Sequence, residues 1–169
     1  MPTPVVVLDY DMAWPDRFAQ IASSLRLLLG GAVCEIDHVG STAVPGLAAK
    51  PIIDIDVTLP LEDIASACER MVCAGYEARG NRYDDGMWAF SRKVMPACRV
   101  YLCQPGNETH HKRLAFRERL RGDDALSAAY AVLKRQLSRQ FPLDGDSYTA
   151  AKRGFIEAAI GPTPFICHP

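Results

Sequence analysis

The chain has 169 residues, of which 49% are hydrophobic and 23% charged, and a formal net charge of −1 at pH 7. That size and balance fit one globular domain over 1–169 with enough apolar material for a core, while the near-zero charge offers no overall attraction to nucleic acid. No apolar run approaches the roughly 20 residues that span a bilayer, and the N-terminus lacks a basic segment leading into an apolar core, so no membrane role and a cytoplasmic location are expected.

In chain order, Trp14 to Leu29 carries Phe18, Ile21, Leu25 and Leu28 at helical spacing, opens with Pro15 in its first turn and stops at Gly30-Gly31. Val33, Glu35, Asp37 and Val39 alternate against Cys34, Ile36 and His38, which reads as the end of a strand that breaks at Gly40. A second strand follows, in which Ile53, Ile55 and Val57 alternate with Asp54, Asp56 and Thr58. Leu61 to Ala74 has Ile64, Ala67, Met71 and Val72 on one side and Gly75 as its C-cap, as a crossover helix would. After a polar, acidic loop from Gly80 to Gly86, Met87 to Lys93 and Arg99 to Gln104 read as two more strands. From Asn107 onward the pattern is helical, over Thr109 to Arg121, Ala125 to Gln140 and Ser147 to Ile160, with Pro142 and Gly145 parting the last two and Asp146 capping the final helix. The expected class is α/β (α+β): a mixed sheet of four or five strands within about 10–105, and a helical part within about 107–160.

The chemistry concentrates between His38 and Val57. Asp54 and Asp56 project from one face of a strand, roughly 7 Å apart at their α-carbons. Aspartate is disfavoured in strands and two like charges on one face repel, so water or a divalent cation must make the pair tolerable. Hard cations such as Mg²⁺ or Mn²⁺ take carboxylate oxygens and leave positions open for phosphate. Upstream, Gly40 permits a tight turn and close approach of a phosphate, and the backbone N–H groups and hydroxyls of Ser41 and Thr42 supply donors for anionic oxygens. Lys50 adds a positive charge just before Pro51. A lone Gly-Ser is ordinarily a turn and a lone Asp-x-Asp the wet face of a strand. Joined by twelve intervening residues, Ser41 to Asp54, they match the pattern of nucleotidyltransferases that resemble DNA polymerase β.

Val39-Gly-Ser-Thr-Ala-Val-Pro-Gly-Leu-Ala-Ala-Lys-Pro-Ile-Ile-Asp-Ile55 resembles the signature of the GrpB family. Three later pieces resemble it too: Arg113-Leu-Ala-Phe-Arg-Glu-Arg-Leu-Arg121, Tyr130-Ala-Val-Leu-Lys134, and Tyr148-Thr-Ala-Ala-Lys152 with Phe155 and Ile156. The similarity runs from about Tyr10 to Ile160. It implies a small polymerase-β-like nucleotidyltransferase fold, an activity unassigned or only predicted, and occasional fusion to dephospho-CoA kinase. Asp54 and Asp56 then become catalytic metal ligands, and Gly40, Ser41, Thr42, Lys50, Arg117 and Lys152 the nucleotide-binding set. Arg113, Arg117 and Arg121 line one side of a helix, and Arg117 and Lys152 are preferred because they stand at matched positions of the family pattern.

The polymerase-β-like mechanism uses a third carboxylate from a later strand, yet Arg99-Val-Tyr-Leu-Cys-Gln104 has no acid, and Arg99 and Tyr101 stand where similar chains carry histidines. Glu35 and Asp37, or Asp84 and Asp85, are candidates to complete the site. Tyr148 either stacks on a base or closes the core, and His38 is read as a hydrogen-bonding residue of the loop. The six cysteines, Cys34, Cys68, Cys73, Cys98, Cys103 and Cys167, read as reduced thiols, and His110 and His111 as a surface pair rather than zinc ligands with Cys98 and Cys103. Two functions remain. One is a Mg²⁺- or Mn²⁺-dependent transfer of a nucleotidyl group from a nucleoside triphosphate to a small-molecule or protein hydroxyl. The other is a regulatory module that binds a nucleotide or CoA-related metabolite without turnover and reports to a protein partner. The Gly-Ser to Asp-x-Asp element favours the first, the missing acid the second.

Overall fold

A computed structural model describes residues 4–81 and 83–161. Cys167 lies outside the described residues.

Helix α1 (Trp14–Leu29) begins with proline in its first turn and ends where Gly30 takes a φ of 74°. Strand β1 (Glu35–Val39) leads through a 3₁₀ turn at Ser41–Ala43 into β2 (Ile53–Thr58). Helix α2 (Leu61–Cys73) follows, then β3 (Glu77–Gly80), β4 (Trp88–Arg92) and β5 (Cys98–Cys103). The remainder is helical: α3 (Glu108–Gly122), α4 (Asp124–Gln140), α5 (Gly145–Ala151) and α6 (Arg153–Ile160). The strands form one five-stranded sheet in the order β1-β2-β5-β4-β3, in which β2 and β5 run parallel and the other pairs antiparallel. The mixed sheet expected from the pattern is therefore present.

Alternation along the strands divides the sheet into two unlike faces. On one, Ile53, Ile55 and Val57 join Val100, Leu102 and Phe90 in a core closed by Ile21, Leu25 and Leu29 of α1 and Ile64, Ala67 and Met71 of α2. The opposite face of the same strands carries Asp37, Asp54, Asp56, Arg99 and Tyr101, and it is there that the register sets Asp37 and Tyr101 on either side of Asp56. The helical part docks through a second core, in which Val44 and Leu47 of the β1–β2 connection pack with Leu120 of α3 and Tyr130 of α4. Tyr130 meets Phe116 edge-on at 5.1 Å and stacks on Phe155 at 5.1 Å between centroids.

Three local expectations are corrected. Glu77–Gly80, not read as a strand, pairs with β4 at the sheet edge. The segment expected as one final helix divides at Lys152, whose N–H reaches back only to Thr149, so the chain turns and brings the Lys152 amine to 4.2 Å from the Tyr148 ring centroid. The cap of that segment is Asp144 rather than Asp146, since its carboxylate accepts from the N–H groups of Asp146 and Ser147 at 3.2 and 3.0 Å. Asp123 plays the same part for α4 by accepting from Leu126 N–H at 2.9 Å. Asp123→Ala is expected to lower stability by about 1 kcal/mol, read as a shift of the urea midpoint at constant slope.

Candidate active site

The polar face of the sheet is built around a carboxylate sealed from water. Asp56 is 0% exposed, and a bare charge there would be strongly unfavourable. Both its oxygens are engaged by α3: Arg113 Nη1 donates to Oδ1 at 2.8 Å, and His110 Nδ1 stands 3.0 Å from Oδ2. The Arg113 guanidinium lies over the Tyr101 ring, 3.9 Å from its centroid. The bond with Asp56 raises the His110 pKa above its ordinary value against the opposing effect of burial. The reading of His110 and His111 as a surface pair is thus corrected, because only His111 is exposed. Asp85 accepts from Thr109 Oγ1 at 2.9 Å near the start of α3, and Asp37 is the acid that the fold sets beside Asp56.

Two further arginines of α3 fasten the Gly-Ser turn through its carbonyls. Arg117 Nη1 donates to the His38 carbonyl at 2.9 Å, and Arg121 Nε and Nη2 donate to that of Ala43 at 3.0 and 2.7 Å. His38 shares a hydrogen bond of 2.9 Å between Nε2 and Thr42 Oγ1 and stacks on Phe18 at 4.6 Å. Burial, with Arg121 and Arg117 nearby, pushes its pKa down to about 4, so the ring is neutral near pH 7. Gly40 turns the chain at φ 72°, and a Cβ there would stand 2.9 Å from Asp54 Oδ2, so both the conformation and the contact require glycine.

Asp54, on the same face of the sheet, borders a pocket of about 60 Å³ ringed by Ser41, Lys50, Arg99, Lys134, Tyr148 and Lys152, with Thr42 also on its wall. Burial raises the Asp54 pKa, against the pull of Arg99, Arg113 and Lys152. The lysines are shifted the opposite way by the same loss of solvent. Lys134 falls to about 7 through burial, then Lys152 and Arg135, and Lys152 to about 8 through burial, with Asp54 opposing. Lys134 Nζ donates to the Ala48 carbonyl. Tyr148 is 1% exposed and carries Lys152 on its ring, with Lys50 at 5.2 Å, so it closes the core and positions the cations at once. A wider groove of about 790 Å³ adjoins this pocket and shares Lys50, Ile52 and Arg99 with it.

The fold thus brings Ser41, Thr42, Lys50, Asp54 and Lys152 together, sets Gly40 behind Asp54, and leaves Arg117 outside as a clamp on the loop. Arg99 and Lys134, noted in the sequence but not assigned to the nucleotide-binding set, complete the pocket. Lys134 carried a legible signal, since it falls on the face of α4 that Tyr130 and Leu137 bury. Arg99 had none, because its place beside Asp54 follows from the parallel register of β2 and β5. As a metal clamp, the Asp54/Asp56 pair does not fit as it stands: Asp54 is open to the pocket, but Asp56 is committed to Arg113 and His110.

The chain belongs to the GrpB family, whose model matches residues 4–161. It is 31% identical over 157 residues to UPF0157 protein YqkA of Bacillus subtilis, covering 92% of this chain and 46% of that protein, so the chain spans about half the length of this relative. It is 29% identical to the glutamate-rich protein GrpB of Alkalihalophilus pseudofirmus, over 92% of this chain and 94% of that one. The crystal structure of the conserved protein GrpB from Enterococcus faecalis superposes with a TM-score of 0.83 at 32% identity, covering 92% of this chain and 94% of that chain. The mixed α/β class expected from the sequence is thus the fold that this chain shares with the GrpB structure.

Removing one partner of a buried ion pair costs more than the pair contributes, because the other charge is left stranded. Arg113→Met is expected to destabilise the domain by about 3 kcal/mol in urea melts, and Asp56→Asn in the same background to restore part of that loss.

Proposed function

We propose that this chain holds the polyphosphate of a nucleoside triphosphate in the Lys50/Arg99/Lys134/Lys152 pocket and transfers the nucleotidyl group to a hydroxyl. The observation that carries this reading is the convergence of four cations and the Ser41–Thr42 turn around the open carboxylate of Asp54. A pocket of about 60 Å³ suits a phosphoryl group, and the adjoining 790 Å³ groove has the volume for the nucleoside. In the reaction the acceptor oxygen forms a bond to the α-phosphorus, the bond from that phosphorus to the α,β-bridging oxygen breaks, and pyrophosphate leaves. Asp54, made more basic by burial, takes the hydroxyl proton. The lysines and Arg99 neutralise the leaving pyrophosphate, and the turn held by Arg117 and Arg121 keeps its donors in place. Asp54 is also the side chain that would hold Mg²⁺ or Mn²⁺ arriving with the triphosphate, where such an ion would offset phosphate charge. Asp56 joins it only if Arg113 and His110 let go.

That commitment of Asp56 favours a second reading, in which the same pocket binds a nucleotide or CoA-related metabolite and reports to a protein partner without turnover. Thermal melts with a panel of nucleoside triphosphates and CoA precursors, with and without Mg²⁺ or Mn²⁺, test the shared pocket. A ligand at 100 times its Kd is expected to add about 2.7 kcal/mol. The expected result is a shift with a triphosphate that is reduced in Lys134→Met, followed by transfer of label from the α-phosphate that is lost in Asp54→Asn. A shift without any labelled product supports the second reading, and no shift with any ligand overturns both.

Binding is also expected to depend on pH. Because Lys134 and Lys152 titrate at about 7 and 8 when the pocket is free, a polyanion must draw protons onto them above neutrality. Affinity for the triphosphate should therefore fall as pH rises from 7 to 9 (about two units spanning both groups). Calorimetry at pH 8 in buffers of different ionisation enthalpy should register proton uptake, and a buffer-independent heat would place the phosphates elsewhere.

A further inference from the structure

His110 stands between two carboxylates and treats them differently. Its Nδ1 is 3.0 Å from Asp56 Oδ2, a hydrogen bond, whereas its Nε2 is 3.6 Å from Asp37 Oδ2, too long for one. Asp37 Oδ2 is wholly buried and has no hydrogen-bond partner, and Arg117 approaches only the other oxygen of that carboxylate, at 3.7 Å. A buried anionic oxygen left in this state is costly. With Nδ1 taken up by Asp56, Nε2 is left facing Asp37 Oδ2 across a gap too long for a hydrogen bond. A cation belongs between them. Glu35, two residues before Asp37 on the same face of β1, brings a third donor, and one ligand atom from each of Glu35, Asp37 and His110 lies within 4.8 Å of the others.

We infer that Glu35, Asp37 and His110 bind a first-row divalent cation at the junction of β1 and α3, distinct from the lysine-lined pocket. Two donors at about 2.1 Å from a tetrahedral ion stand about 3.4 Å apart, close to the Asp37–His110 spacing. One imidazole with two carboxylates suits Zn²⁺, Mn²⁺ or Co²⁺ better than Mg²⁺. Asp56 orients the histidine by holding Nδ1–H and leaving Nε2 to ligate, the arrangement common to metal-bound histidines. The ion ties β1 to α3 and relieves the crowding of Asp37 and Asp56, which are register partners across β1 and β2.

The inference does not rest on the nucleotide reading. The test uses the full chain stripped with EDTA, titrated with Zn²⁺ by calorimetry and with Co²⁺ by visible absorption. One ion per chain is expected, with a rise in melting temperature that EDTA reverses. Asp37→Asn and His110→Gln should abolish binding. Glu35→Gln, at an exposed position that does not threaten folding, should weaken it by about tenfold. Asp54→Asn, which removes nucleotidyl transfer under the reading above, should leave binding of Zn²⁺ and Co²⁺ intact. Absence of saturable binding, unchanged affinity in Glu35→Gln and Asp37→Asn, or loss of binding in Cys34→Ser, which would trace the ion to the neighbouring exposed thiol, would each overturn the inference.

Discussion

The burial of the Asp56 carboxylate is the constraint from which the polar half of the domain follows. A charge at the centre of a sheet, with 0% exposure, persists only with full compensation, and that compensation comes from a helix more than fifty residues away in the chain. Arg113 and His110 lie one turn apart on α3, so satisfying both oxygens of Asp56 fixes the position of that helix and its rotation about its axis. Once α3 is fixed, Arg117 and Arg121 arrive one and two turns later, over the carbonyls of His38 and Ala43. The row of arginines is a series of rivets running from the carboxylate to the Gly-Ser turn.

This arrangement assigns different work to two aspartates of the same motif. Asp56 is structural in the conformation described, whereas Asp54, two residues earlier on the same strand face, meets cations across open space rather than through direct bonds. The difference arises from the neighbouring strand. At the β5 positions beside the pair, Tyr101 allows Arg113 to lie across its ring, and Arg99 adds a positive charge next to Asp54. The same strand that lacks an acid thus supplies the surroundings that let an arginine take the carboxylate.

Strands β1, β2, β4 and β5, the first two helices and the Gly-Ser to Asp-x-Asp element were legible because each rests on a local pattern: alternation, helical spacing, or a glycine where the backbone must turn. Leu29 gives way to Gly30, and Val39 to Gly40, where the periodicity says they should. Strand β3 was not legible, since its four residues, Glu77 to Gly80, lie at the sheet edge with little apolar alternation and are held by pairing with β4. Nor was the placement of Asp37 and His110 around Asp56, because it depends on which strand lies beside β2 and on the docking of α3. Lys134 shows the intermediate case: its position on a buried helix face could be read, but not the Ala48 carbonyl that receives its amine.

The contacts that make the site are also among the most distant in the chain. Arg121 reaches Ala43 across 78 positions, Arg117 reaches His38 across 79, and Lys134 reaches Ala48 across 86. Closing loops of that length is entropically expensive, so these contacts form after the local hairpins and helices. A chain emerging from the ribosome therefore presents the acidic face of its sheet to water, fully hydrated, until the helical half has been made. Asp56 becomes a buried charge only at the moment its partners arrive, and the lysine-lined pocket is among the last parts of the molecule to come into existence.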